Sequence, residues 1–173
     1  MSESVVTFDR RLEPEDEARA DFYALLARLF SGAPDSALLA AIANAAALAP
    51  ATHGGDAGAV AAELASAWDG LRAASGAMDP DTAADEFHTL FVGIGRSEVS
   101  LYASHYLGPQ SGRPLAEIRA ALAALGLARQ PGSSEFEDHI SVMLETMRML
   151  VAGDAERAPA AIGEQRGFFE RYL

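Results

Sequence analysis

The sequence predicts an all-α protein, and three observations carry that reading. About a fifth of the chain is alanine, the residue that costs least to order in a helix. Apolar side chains make up 50% of the 173 residues but aromatics only 8%, and they recur three and four positions apart rather than alternating. Gly, Pro and short Ser/Asp clusters then cut the chain into about seven such segments. The length suits one domain, 1–173, a helical bundle with a sizeable core.

Residues 1–12 form a polar lead expected to be poorly ordered. The first helix is predicted over Glu13 to Phe30, with acids in its first turn and Phe22, Leu25, Leu26, Leu29 and Phe30 as its stripe. Ser31-Gly32 and Pro34 end it. Asp35 or Ser36 caps a second helix carrying Leu38, Leu39 and Ile42, expected to run to Ala49-Pro50. After a loop at 51–55, Val60, Leu64, Trp68 and Leu71 mark a third helix, with Gly76 just beyond its end. Asp79-Pro80 caps and opens a fourth that carries Phe87, Leu90 and Phe91. Arg113-Pro114 starts a fifth, with Leu115, Ile118, Leu122 and Leu125 in period and Gly126 closing it. Ser133 or Ser134 caps a long sixth helix on which Phe136, Ile140, Met143, Leu144, Met147 and Leu150 form the stripe, interrupted at Gly153-Asp154. The seventh runs from Ala158 to Leu173 and stops in mid-stripe, with Phe168, Phe169 and Tyr172 in its last turns. That ending predicts a chain that continues, and an apolar face open to dimerisation or helix exchange.

Charge and composition exclude several functions. Lys and Arg total 13 against 25 for Asp and Glu, a formal net charge of −12, so the average field repels nucleic-acid phosphates and anionic membranes. A basic partner is the natural complement, although acidity also serves simple solubility. Without cysteine there is no disulfide, thiolate metal site, iron–sulfur ligation or cysteine nucleophile. Arg10-Arg11 is followed by Glu13-Pro-Glu-Asp-Glu17 where an export signal needs an apolar core, and no run nears the roughly 20 apolar residues that span a bilayer. A cytoplasmic protein is expected.

Two stretches stand out. In the first, Asp85 to Leu107, a helix bearing Phe87 and Phe91 runs into Gly93-Ile94-Gly95, two glycines whose spacing points to backbone conformations a side chain would block. Beyond them Tyr102 and Tyr106 flank Ser104, either as packed hydroxyls or as ligand contacts. In the second, Glu135-Phe-Glu-Asp-His139, three carboxylates and an imidazole crowd a predicted helix start. Acids complementing the macrodipole would explain them, as would recognition of a guanidinium by paired hydrogen bonds, or a metal site. Asp138 and His139 point apart on a helix, which disfavours the metal. Asp85 and His88 read as solvent-facing polar residues, since a di-iron bundle needs two Glu-x-x-His motifs and the chain has none. There is no phosphate-binding loop, dinucleotide fingerprint or nucleophile elbow, so neither catalytic residues nor a cofactor is predicted.

Together the two stretches resemble the family of cytoplasmic chaperones for molybdenum-containing redox enzymes, of the TorD/DmsD/NarJ type. That family's first signature is an aromatic, two residues, Leu-Phe, one residue, Gly-Pro-Gly, then Pro-aromatic-x-Ser-x-aromatic. This chain has Phe87, Leu90-Phe91, Gly93-Ile94-Gly95, then Leu101-Tyr102-Ala103-Ser104-His105-Tyr106. The second signature, Glu-Pro-x-Asp-His, is matched by Glu135 to His139. Ile94, Leu101 and Phe136 stand where the family has proline, so these loops are less constrained. The resemblance covers the helices from about Asp21 to Leu173 and implies further helices beyond.

What it implies is binding: a chaperone that holds a molybdoenzyme catalytic subunit, or its twin-arginine leader, until cofactor insertion is complete. Asp138 and His139 are then the expected polar contacts, with Glu135, Tyr102 and Ser104 beside them. Phe87 and Phe91 are expected to shape the core beneath that surface, and with Gly93 and Gly95 they complete the expected client-binding residues. The rival from another class is a small helical metal-dependent hydrolase built on Glu135 to His139.

Overall fold

The computed structural model describes residues 12–49, 55–93, 97–106, 113–128, 135–154 and 157–173. Among them are eight α-helices and no strand: α1 (Pro14–Ser31), α2 (Ser36–Ala43), α3 (Asp56–Ala77), α4 (Pro80–Phe87), α5 (Ala103–Tyr106), α6 (Arg113–Ala124), α7 (Ile140–Ala152) and α8 (Ile162–Tyr172). The class is the all-α one that the sequence predicts. The seven predicted helices are present, and α5, a single turn, is additional. Two compact units form: Met1–Ser31 with Ser100–Leu173, and Gly32–Val99.

In the first unit α1 lies along α7 and α8 packs on α7. Ala20 and Ala27 are the buried positions of α1, small enough for a close approach, while α7 buries Met143, Leu144, Met147, Leu150 and Val151. Ile118 and Leu122 of α6 and Phe168 of α8 join Met143, Met147 and Leu150 in one apolar cluster, flanked by Tyr23, Leu125 and Tyr172. Arg19 of α1 donates to the buried Gln165 of α8, whose own amide donates to the Ala160 carbonyl at 2.9 Å. Two glycines end helices as expected, Gly126 after α6 and Gly153 after α7, at φ +67° and +69°.

In the second unit α2 packs on α3 through Leu39 and Ile42. The Asp35 carboxylate caps α2 by accepting from the Leu38 N–H at 2.8 Å, and Asp79 caps α4 with Pro80 in its first turn. After Phe87 the backbone widens into a π-turn, His88–Val92, closed by the Gly93 N–H on the His88 carbonyl at 2.7 Å. The cause is local. His88 Nδ1 lies 2.6 Å from the Ala84 carbonyl and the Thr89 hydroxyl donates to the Asp85 carbonyl, so side chains compete for acceptors of the α-ladder. Gly93 then turns at φ +64°. Phe87 and Phe91 are half-buried and meet edge to face at 5.1 Å.

Four predicted boundaries move. The second helix stops at Ala43 because the Asn44 amide donates to the Ala40 carbonyl at 2.7 Å and draws the chain out of the helix. The third passes through Gly76 and ends only at Ala77, where extended Met78 and Asp79 precede Pro80 as proline requires. The seventh begins at Ile162, because residues 157–160 are tied back by bonds from Asp154 N–H to the Arg157 carbonyl and from Ala160 N–H to the Leu150 carbonyl. The sixth begins at Ile140. Its expected caps, Ser133 and Ser134, lie outside the described residues, as do residues 1–11 and Gly95.

Candidate functional site

The late start of α7 changes what Glu135 to His139 are. They form a turn ahead of the helix rather than its first turn, closed by the His139 N–H on the Phe136 carbonyl at 3.0 Å. Macrodipole complementation by these acids is therefore not their arrangement; α7 has no acid in its first turn. His139 is the cap instead. Its Nδ1 accepts from the Ser141 N–H at 3.2 Å, which in a neutral ring puts the proton on Nε2, and the Ser141 hydroxyl lies 2.7 Å from the same Nδ1. Burial lowers the imidazole below its ordinary 6.5, against the pull of Glu135 and Asp138, and the neutral form is the one that can cap. Nε2 sits 3.8 Å from Glu135 Oε2, too far for a hydrogen bond; with the ring neutral this is not an ion pair.

The two sequence stretches meet at one antiparallel bridge between Tyr102 and His139. Ala103 N–H donates to the Asp138 carbonyl at 3.0 Å and Ile140 N–H to the Leu101 carbonyl at 2.9 Å. Asp138, only 2% exposed, also accepts from the Ser104 N–H at 3.2 Å, so its carboxylate satisfies the start of α5 from across the bridge. The Tyr102 ring stands edge-on to His139 at 4.9 Å and to Phe136 at 6.4 Å, and its hydroxyl donates to Glu135 Oε2 at 2.8 Å. Burial first, then that bond and the charges of Glu135 and Asp138, push the phenol up to about 12.

Five predicted site residues are thus brought together: Tyr102, Ser104, Glu135, Asp138 and His139. Phe87, Phe91 and Gly93 belong to the other unit, where they form the edge-to-face pair and the positive-φ turn; Gly95 lies outside the described residues. Asp85 and His88 are exposed, as read from the sequence.

Beside the cluster, α1, α7 and the turn enclose a groove of about 620 Å³. Ala24, Ala27 and Ser31 line one wall, and Val142, Thr146 and Met149 the other. Leu122 and Leu127 add apolar surface, and Glu135, Glu137 and Glu145 supply carboxylates. Arg119 holds Glu137 at 3.0 Å, and Arg148 makes a forked contact to Glu145 with bonds of 2.7 to 2.9 Å. Arg28 is the cation on the α1 side. Sequence reasoning missed the groove because its walls are small residues on two distant helices. The spacing Val142, Glu145, Met149 is nonetheless a signal for a second face of α7, beside its core stripe. Among the described residues no group of three or more His, Asp or Glu side chains could hold a metal ion, and no helix is long and apolar enough to cross a membrane.

Fold and site define an all-helical protein in which a turn and a one-turn helix, locked by a buried carboxylate and a capping histidine, edge a small-residue groove with acidic side chains. Residues 57–173, which include Tyr102, Ser104 and Glu135 to His139 but not the α1 wall of the groove, match the family model described as nitrate reductase delta subunit. The chain belongs to that family, the NarJ/TorD-type chaperones of molybdoenzyme maturation. No curated protein and no solved structure matches it significantly.

Proposed function

We propose that this chain is a non-catalytic cytoplasmic chaperone that holds the immature catalytic subunit of a molybdenum-containing oxidoreductase by a basic–apolar segment, such as a twin-arginine leader, until cofactor insertion is complete. The observation that supports it is the groove between α1 and α7, apolar along its walls and bearing Glu135, Glu137 and Glu145. Burying about 500 Å² of apolar peptide surface contributes on the order of 12 kcal/mol before ordering costs, whereas an exposed Arg–carboxylate pair contributes about 0.2–1 kcal/mol. Hydrophobic contact therefore sets affinity, and the carboxylates choose and orient the peptide. Phe87 and Phe91 pack edge to face at 5.1 Å within their own unit. A hydrolase finds less support, because the Asp138 carboxylate and His139 Nδ1 are both engaged by main-chain N–H groups.

Calorimetric titration with a synthetic peptide carrying two arginines ahead of an apolar run tests the reading. One saturable site is expected, weakened at least tenfold when Ala24→Trp fills the groove and unchanged by Ala116→Trp on the exposed face of α6. Absence of binding, together with no molybdoenzyme subunit recovered by pull-down, overturns it. Self-association is a separate expectation, resting on the exposed Ile162 and Phe169 of α8 and Leu173 just after it, and light scattering across a concentration series decides it.

A further inference from the structure

Asp138 and His139 were expected to touch the bound segment, yet they are 2% and 5% exposed, while Glu135 lines the groove and keeps about a third of its side-chain surface open. We propose that Asp138 serves the peptide site as a positioning residue, acting through Tyr102 to aim Glu135 into the groove. The proposal rests on reading the groove as the client-peptide site. Each step is a contact. The Asp138 carboxylate takes the Ser104 N–H and its carbonyl the Ala103 N–H, so one residue fixes both the chain direction leaving Tyr102 and the first turn of α5. Ile140 N–H on the Leu101 carbonyl fixes the approach to Tyr102 from the other side. With the backbone held at both neighbours and the ring edge-on to His139, the hydroxyl is set 2.8 Å from Glu135 Oε2.

A neutral phenol suits this task. It holds the carboxylate by one donated bond and brings no charge of its own to the groove. Because Glu135 lines the groove and is partly open, the peptide cation assigned to it is an arginine or lysine bordering the apolar run, and its selection depends on a residue the peptide never reaches.

The test compares Glu135→Gln, Tyr102→Phe, Asp138→Asn and Asp138→Ala, each checked for wild-type helical circular dichroism, with the arginine-pair peptide and with a copy in which both arginines are glutamine. Glu135→Gln and Tyr102→Phe should each weaken the arginine peptide about fivefold, flatten its salt dependence and leave the glutamine copy within twofold. Asp138→Ala should match Tyr102→Phe, and the Asp138→Ala/Tyr102→Phe double variant should lose no more than the worse single variant. Asp138→Asn keeps the acceptor and should restore binding to within twofold. Additive losses, or a glutamine copy weakened as much as the arginine one, would overturn the proposal. A second readout needs no peptide: the ¹³Cζ resonance of Tyr102 should move toward that of a water-exposed phenol in Asp138→Ala and stay in place in Asp138→Asn. If the wild type binds neither peptide, the client-site reading fails and this resonance alone decides the positioning: an unmoved signal in Asp138→Ala rejects it.

Discussion

The hydroxyl of Tyr102 donates to Glu135 Oε2 at 2.8 Å across 33 positions of sequence, and it ties the two unusual stretches of the chain into one site. Tyr102→Phe keeps the ring and removes only this bond. It should cost about 0.5–1.5 kcal/mol of stability, read by urea unfolding with an unchanged m-value.

Stability should fall on the acid side through His139. Its folded-state pKa is depressed, so the unfolded chain binds more protons as pH drops through the ordinary 6.5. The contribution of the cap is thus fully present above that value and is lost as pH falls toward the lower folded-state pKa. Melting temperature between pH 8 and 5 should decline in the wild type. His139→Asn, which keeps a capping acceptor and removes the titration, should decline less.

The same linkage has the opposite sign at high pH. The Tyr102 phenol ionises at about 12 in the fold against 10.0 unfolded, so its contribution holds below pH 10 and is lost as pH rises toward 12. Between those limits, phenolate absorbance in Tyr102→Phe should lack the latest-titrating component present in the wild type.

Gly153 and Gly167 should respond to alanine in opposite directions. At Gly153, φ is +69° and a Cβ would lie 2.5 Å from the Arg157 carbonyl oxygen and 2.8 Å from the Pro159 nitrogen, both main-chain atoms that cannot easily yield. Gly153→Ala should cost roughly 2 kcal/mol or more. Gly167 lies inside α8 with nothing within 4 Å of its would-be Cβ, so Gly167→Ala should raise stability by up to about 1 kcal/mol. Chemical denaturation of the pair checks both signs.

In the core, Met147 is 2% exposed and packs among Ile118, Leu122, Met143, Leu150 and Phe168. Met147→Ala should cost about 2–5 kcal/mol, the upper end if the cavity fails to relax, as measured by the denaturation midpoint.

The helices were legible because their signals are local. Asp35 and Asp79 cap as read, the Phe136-to-Leu150 period finds most of the α7 core, and Gly126 and Gly153 stop helices where they should. Of the misplaced ends, the third helix runs on to the extended residues that Pro80 requires, and the others have a competing partner that the period does not reveal. Asn44 takes a carbonyl from its own helix, and His139 caps through a ring nitrogen, a role usually filled by Ser, Thr, Asp or Asn. The site was half legible. Motif likeness singled out Tyr102, Ser104, Glu135, Asp138 and His139, and these do meet. Their burial was hidden, because only the bridge between residues 34 or more apart makes Asp138 inaccessible and leaves Glu135 at the groove. The groove was illegible, since Ala24, Ala27 and Val142 matter there for being small.

Site-specific crosslinking tests most directly whether that groove holds the client. A benzophenone side chain placed at Val142, inside the groove, is compared with one at the exposed Ala116 of α6, in the chain co-expressed with a molybdoenzyme catalytic subunit. Capture of a basic–apolar segment of that subunit from Val142 and not from Ala116 is the result predicted. Equal capture from both positions, or capture from Ala116 alone, would contradict the assignment of the groove as the client site.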